Sequence, residues 1–176
     1  VVARGCPYSC HFCRFSNVEN YQYKPFEQLM NHLDLLKAAG ATEVRVVAAT
    51  SSAYRDGDKR LKDIIVGAIG KGFKVELLSD RPSEMDEIMG FKHERVVLAP
   101  EASPKLRLET LGKTLKEGEL RKAIENALNQ KTKDFVFFSI IGILGNKEVP
   151  GETEADYLYY KELADYIVAE GKKRDL

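Results

Sequence analysis

A chain of 176 residues has room for one domain and little more. Its 44% hydrophobic and 31% charged residues exclude intrinsic disorder, and its formal net charge of zero indicates no bulk attraction to nucleic acid or an anionic membrane. No apolar run approaches the roughly 20 residues a membrane helix needs and no signal peptide opens the chain, so a cytoplasmic protein is expected.

In chain order, strand-like runs alternate with helix-period segments. Val1–Gly5 reads as a strand, and after a cysteine-bearing loop Pro25–Ala39 carries Phe26, Leu29, Leu33 and Leu36 at helical spacing, closed by Gly40. A second strand is predicted over Glu43–Ala49, then a helix over about Lys59–Ile69 ended by Gly70 and Gly72. Phe73–Leu78 is the third strand and Pro82–Met89 a short helix. The fourth strand is Arg95–Ala99, followed by a long amphipathic helix over Leu115–Gln130. Asp134–Ile141 is the fifth strand, and Glu152–Glu170 the last helix.

Five strand–helix units in succession predict an α/β fold with a parallel sheet, either open and doubly wound or most of a barrel. No linker or low-complexity stretch divides residues 1–176, so a single domain is expected. Val1-Val2-Ala3-Arg4-Gly5 starts as though already inside a strand, and the chain stops in the charged stretch Gly171–Leu176. A segment of a longer polypeptide, flanked on both sides, is the expectation.

The polar residues fall where such folds place their sites, at the carboxyl ends of the strands. The first strand ends at Cys6, the second in Thr50-Ser51-Ser52, the third in Ser79-Asp80, the fourth in Pro100-Glu101, and the fifth in Gly142 and Gly145. One end of the sheet would gather thiols, hydroxyls, carboxylates and glycines.

The three cysteines all lie between positions 6 and 13, in Cys6-Pro7-Tyr8-Ser9-Cys10-His11-Phe12-Cys13. An odd number on one loop is a poor disulfide framework, because nothing distant is available to be stapled. Three thiolates at C-x3-C-x2-C spacing suit three irons of a cubane cluster, and with no fourth cysteine one iron stays open to an outside ligand. A zinc site would need His11, which follows Cys10 directly and is badly placed for the same ion. An electron-transfer ferredoxin would supply four ligands. A non-catalytic iron–sulfur or zinc-binding module stands as the alternative to an enzyme.

The same motif resembles the signature of radical S-adenosylmethionine (SAM) enzymes, C-x3-C-x-aromatic-C after the first strand of a βα series. Val96-Val97-Leu98-Ala99-Pro100-Glu101-Ala102-Ser103 with Lys105-Leu106-Arg107 is similar to a fourth-strand segment of the cobalamin-associated and methylthiotransferase-like members. Ile140-Ile141-Gly142, followed after a short insertion by Pro150-Gly151-Glu152-Thr153, is similar to another. The resemblance implies a partial TIM-like (βα)6 barrel and a 4Fe–4S cluster on Cys6, Cys10 and Cys13. It implies reductive cleavage of SAM to a 5′-deoxyadenosyl radical that acts on an unidentified substrate. A flavodoxin- or ferredoxin-type reductant would serve it, with methyl or methylthio transfer among its reactions and cobalamin supplied by a separate domain in some members. It further implies that Phe12 lies near the SAM adenine, that Ser51 and Ser52 stand where the family carries a Gly-Gly-Glu-like motif for the methionyl amine, and that Glu101 meets the ribose or carboxylate. Gly142, Ile143 and Gly145 would bring backbone close to the adenine.

Other residues have plainer readings. Tyr8 and Tyr54 read as packing aromatics or cavity lining, Arg14 as exposed, and His32 and His93 as ordinary. Lys113, Lys116, Arg121 and Lys122, interrupted by Glu117 and Glu119, read as a solvated helix face.

Overall fold

A computed structural model of the chain describes residues 1–77 and 95–176. Leu78, Ser79-Asp80, the helix expected over Pro82–Met89 and His93 lie outside the described residues.

Two parallel strand pairs carry the architecture. Strand β1 (Ala3–Arg4) leads into the cysteine loop, the short helix α1 (Arg14–Val18), strand β2 (Gln22–Tyr23) and helix α2 (Phe26–Ala38). Strand β3 (Glu43–Val46) is followed by a hairpin of β4 (Arg55–Asp56) and β5 (Lys59–Arg60), helix α3 (Leu61–Gly70) and strand β6 (Lys74–Leu77). Strand β7 (Arg95–Glu101) leads to helices α4 (Pro104–Glu109) and α5 (Glu117–Asn129), then strand β8 (Asp134–Ser139) and helix α6 (Glu154–Lys172). β3 pairs with β6 and β7 with β8, both parallel, as βα alternation requires. Among the described residues the strands do not close into a continuous barrel, in keeping with a partial one.

Among the described residues the predicted strands and helices stand, with shifted ends. β1 is shorter than Val1–Gly5 because its register is shared. Arg4 and Ala3 pair antiparallel with Gln22 and Tyr23, while the Val2 amide donates to the Val47 carbonyl beyond β3 at 2.9 Å. The β4–β5 hairpin takes over the start of the helix expected from Lys59, so α3 opens at Leu61 with Asp63 accepting from the Arg60 amide at 2.8 Å. α4 was hidden in the stretch between the fourth strand and the next helix; Pro104 at its first turn sets a helical φ.

Periodicity explains the packing. α3 buries Leu61, Ile64, Ile65 and Ala68, and α5 buries Leu120, Ala123, Ile124, Ala127 and Leu128, each set on one helical face. β7 alternates: Val96, Leu98 and Pro100 are buried, while Val97, Ala99 and Glu101 face the other side half-buried. The main core joins Val46, Val96 and Leu98 to these helix faces and to Tyr159 and Leu163 of α6. Each such aliphatic side chain contributes about 1.5–3 kcal/mol by leaving water. α2 follows its pattern only in part, since Leu29 and Leu33 are buried but Leu36 stays 44% exposed. Surface pairs between registered residues, Arg45 with Glu76 and Arg95 with Asp134, lie on the strands away from the cysteine loop.

Candidate functional site

At Gly5 the chain turns sharply from β1 into the cysteine loop, with φ at +68°. A side chain there would put its Cβ 2.7 Å from the Asn20 carbonyl oxygen, so glycine is required on both counts. α1 then folds back on the loop. Ser16 Oγ donates to the carbonyls of Cys10 (3.1 Å) and Cys13 (3.0 Å), and Asn17 Nδ2 to the same two at 3.2 and 2.7 Å. The Cys13 amide closes the loop onto the Cys10 carbonyl at 3.1 Å.

The loop forms one wall of a cavity of about 210 Å³, to which it contributes Cys6, Tyr8, Cys10, Phe12, Cys13 and Phe15. None of the three cysteines is in a disulfide. The opposite wall comes from strand ends: Ala49 and Thr50 beyond β3, Ala99 and Glu101 of β7, Phe138 of β8, and Lys113 from the turn between α4 and α5. Cys6 Sγ lies 3.5 Å from the Thr50 hydroxyl, which ties the two walls together.

Glu101 sits where the β7–β8 register slips between Leu98 and Glu101, and its φ of 65° is one that non-glycine residues rarely adopt. Its carbonyl accepts from the Ile140 amide (2.7 Å) and the Tyr160 hydroxyl (3.2 Å), which hold the strained backbone in place. Its carboxylate is met by Lys113, whose Nζ donates to Glu101 Oε1 at 3.1 Å and to the Ala99 carbonyl at 2.5 Å. The two side chains are only 14% and 10% exposed, so the cavity contains a desolvated carboxylate–ammonium pair.

Lys113 corrects the sequence reading, which put it on a solvated helix face. It precedes α5 and is buried, because its amide is held by the Arg107 carbonyl at 2.8 Å and its side chain is drawn inward by two acceptors. A lysine directly after Gly112, outside the helical period, was the available signal. Arg121 is not simply solvated either: it pairs with Glu117 at 3.0 Å and lies 4.4 Å over the Tyr166 ring.

Of the residues expected at the site, Cys6, Cys10, Cys13, Phe12 and Glu101 line the cavity. Ser51 and Ser52 are buried in a short 3-10 turn, 2% and 0% exposed, and the lining beside them is Thr50. Gly142, Ile143 and Gly145 lie in the segment after β8, outside this lining. The amides of Gly142 and Ile143 donate to Glu152 Oε2 at 2.7 and 3.3 Å. His11 is not part of this lining; its Nδ1 donates to the Thr110 carbonyl at 3.1 Å. Among the described residues no helix is long and apolar enough to cross a membrane.

An α/β scaffold with a C-x3-C-x2-C loop facing strand ends defines a class, and the comparisons agree. Residues 1–158 match the radical SAM superfamily, and the chain belongs to it. That superfamily uses a 4Fe–4S cluster and SAM. Over 69 residues the chain is 35% identical to the ribosomal protein uS12 methylthiotransferase RimO of Chlorobium phaeobacteroides (strain DSM 266 / SMG 266 / 2430), a match that covers 37% of this chain and 16% of that protein. The RimO of Chlorobium limicola (strain DSM 245 / NBRC 103803 / 6330) is 32% identical over the same length, with the same shares covered. The chain thus matches about a sixth of the length of these curated relatives. The fold is similar to that of the cobalamin-dependent S-adenosylmethionine radical enzyme OxsB with aqua-cobalamin bound. There the TM-score is 0.60 at 14% identity, over 99% of this chain and 30% of the other.

Proposed function

We propose that residues 1–176 form the core domain of a radical SAM enzyme in which Cys6, Cys10 and Cys13 each ligate one iron of a 4Fe–4S cluster. The fourth iron would be left to the amine and carboxylate of SAM. The observation that carries this reading is the arrangement of three cysteines from one loop, none in a disulfide, on a single cavity, opposite strand ends that carry a charged pair. Three thiols at C-x3-C-x2-C spacing on one loop suit a cluster, which offers each a separate iron, better than they suit zinc, whose structural ligands usually come as two separated pairs.

With a cluster and SAM bound, the chemistry supplied would be one-electron cleavage of a C–S bond of SAM to methionine and a 5′-deoxyadenosyl radical, with the electron drawn from a flavodoxin- or ferredoxin-type reductant. The chain's residues bind and orient. The Thr50 hydroxyl beside Cys6 Sγ tunes the ligand's electron density, since hydrogen bonds to the sulfurs help set a cluster's potential. Glu101 presents an acceptor and Lys113 a donor to the ribose and carboxylate of SAM. Phe12 stacks near the adenine, and Tyr8, Phe15 and Phe138 line the same cavity beside it. Ser51 and Ser52 are buried in the 3-10 turn that follows Thr50. The Gly142 and Ile143 amides are committed to Glu152 Oε2, the Ile143 carbonyl accepts from the Glu152 amide, and Gly145 packs on the Gly151 backbone, so in this reading the segment meets the adenine by close backbone approach rather than through those groups. The methylthiotransferase likeness supports methyl or methylthio transfer as the reaction class.

Anaerobic reconstitution of the full-length protein, followed by dithionite and SAM, tests the reading. Near-equal iron and sulfide, with release of 5′-deoxyadenosine and methionine, is the expected result. Changing all three cysteines to Ala should abolish both. One zinc per chain without sulfide, or SAM cleavage that survives the triple substitution, would overturn it.

A further inference from the structure

The turn between α4 and α5 grips the cysteine loop from outside the cavity. The His11 amide donates to the Leu111 carbonyl at 2.9 Å, and His11 Nδ1 to the Thr110 carbonyl at 3.1 Å. A carbonyl can only accept, so Nδ1 carries the proton. The imidazole lies against Gly112, which has a φ of +63°; a Cβ there would lie 2.6 Å from Nε2 and 2.7 Å from Cδ2 of the ring. Gly112 therefore does two things: it closes the turn, and it leaves room for the ring.

The turn is itself firmly seated. The amides of Thr110 and Leu111 both donate to the Leu106 carbonyl at 3.0 Å, and Leu111 is buried with Ala102, Leu106 and Ile143. The Thr110 hydroxyl donates to the Pro150 carbonyl at 2.8 Å, which ties in the segment before α6. The next residue, Lys113, reaches into the cavity to Glu101. A single turn thus sets the position of the loop between Cys10 and Cys13 and of the opposing charged pair.

We infer that His11 is a positioning residue: its ring, seated on Gly112 and bonded to Thr110, fixes the Cys10–Cys13 segment relative to the Glu101–Lys113 wall. This rests on the reading of the three thiols as cluster ligands. His11 touches no iron in this account and acts through the loop that carries two of the ligands. A loop released from this contact would hold the same cluster with altered ligand geometry and a lower barrier to its loss.

The test uses the full-length protein, reconstituted anaerobically, as wild type, His11→Ala, Gly112→Ala and the double variant. Loss of one such hydrogen bond corresponds to an effect of about fivefold. His11→Ala should speed chelator-driven loss of the cluster by about that factor and change the electron paramagnetic resonance line shape of the reduced cluster, with thermal melting of the metal-free protein unchanged. Gly112→Ala should act in the same direction, and its effect on cluster retention should shrink in the His11→Ala background, because the clash is with the ring that has been removed. Wild-type retention and spectrum in His11→Ala, or a Gly112→Ala effect that is the same with and without the ring, would overturn the inference. If the wild type takes up no cluster, the cluster reading fails and this one with it; a wild type that keeps its cluster while His11→Ala matches it sinks only the latch.

Discussion

The two walls of the cavity are held by opposite means. On the cysteine side, Ser16 and Asn17 bond to carbonyls only three to seven residues away in sequence. On the strand-end side, Lys113 reaches back 12 residues to Glu101, and Glu101 is in turn braced by Tyr160, 59 residues on. Behind that wall a second long-range set holds α4 to α5 and α6. Arg107, fully buried, donates to Glu117 Oε2 at 3.1 Å, and Tyr159 donates to the same oxygen at 2.9 Å. A loop that carries ligands can be shaped locally and remain accessible, with Phe12 42% and Phe15 53% exposed. A wall that holds a charged pair out of water has to be enclosed by distant parts of the chain.

The contrast predicts that damage to the strand-end wall spreads through the fold while damage to the cysteine wall stays local. The largest expected effect is at Arg107. Its Nε and Nη1 are buried without hydrogen-bond partners, so Glu117 is what compensates its charge. Glu117→Gln should destabilise the fold by roughly 3 kcal/mol in chemical denaturation by leaving the guanidinium buried and uncompensated, whereas Arg107→Met combined with Glu117→Gln should recover most of that loss. Equal losses in the single and double variants would show that the pair is not what holds this wall.

Lys113→Met comes next. Leaving the Ala99 carbonyl and the Glu101 carboxylate without their donor should cost about 2 kcal/mol, read from the same denaturation curves. Asn17→Ala should cost only about 1 kcal/mol, and hydrogen exchange should show the loosening confined to residues around Cys10–Val18. If exchange also rises in β7 and β8, the walls are coupled more tightly than their bonding suggests.

The smallest effect at ordinary pH comes from the buried Tyr54 and the half-buried Tyr166. Burial, with Asp56 nearby, pushes Tyr54 up to about 12, and burial with a hydrogen bond to Glu125 does the same for Tyr166. An unfolded tyrosine ionises near 10, about two units lower. The stability these neutral phenols contribute is therefore complete below about pH 10 and is lost as the pH rises from about 10 to 12. Tyr54→Phe and Tyr166→Phe should each flatten that alkaline decline when melting temperature is followed against pH.

Much of this was legible in the sequence where a local rule governed. The helical faces of α3 and α5 follow from spacing, the strand alternation of β7 from its apolar run, and the gathering of Cys6, Thr50 and Glu101 at one end from their places at strand termini. The extra helix α4, the β4–β5 hairpin and the inward turn of Lys113 were not legible. Each depends on a partner far along the chain or on a short motif whose propensity is weak by itself.

By itself, then, the order of residues determined the βα alternation, the helix faces that enter the core and the chemistry available on the cysteine loop, because period, capping and ligand spacing act over a few residues. Only the tertiary structure decided which strand-end groups face those thiols. It put Thr50 rather than Ser51 or Ser52 on the cavity, turned Lys113 inward against Glu101, and seated His11 on Gly112, 101 positions away in the chain. These outcomes are set by burial and by which acceptors come within reach once distant segments pack, and no window of neighbouring residues contains that information.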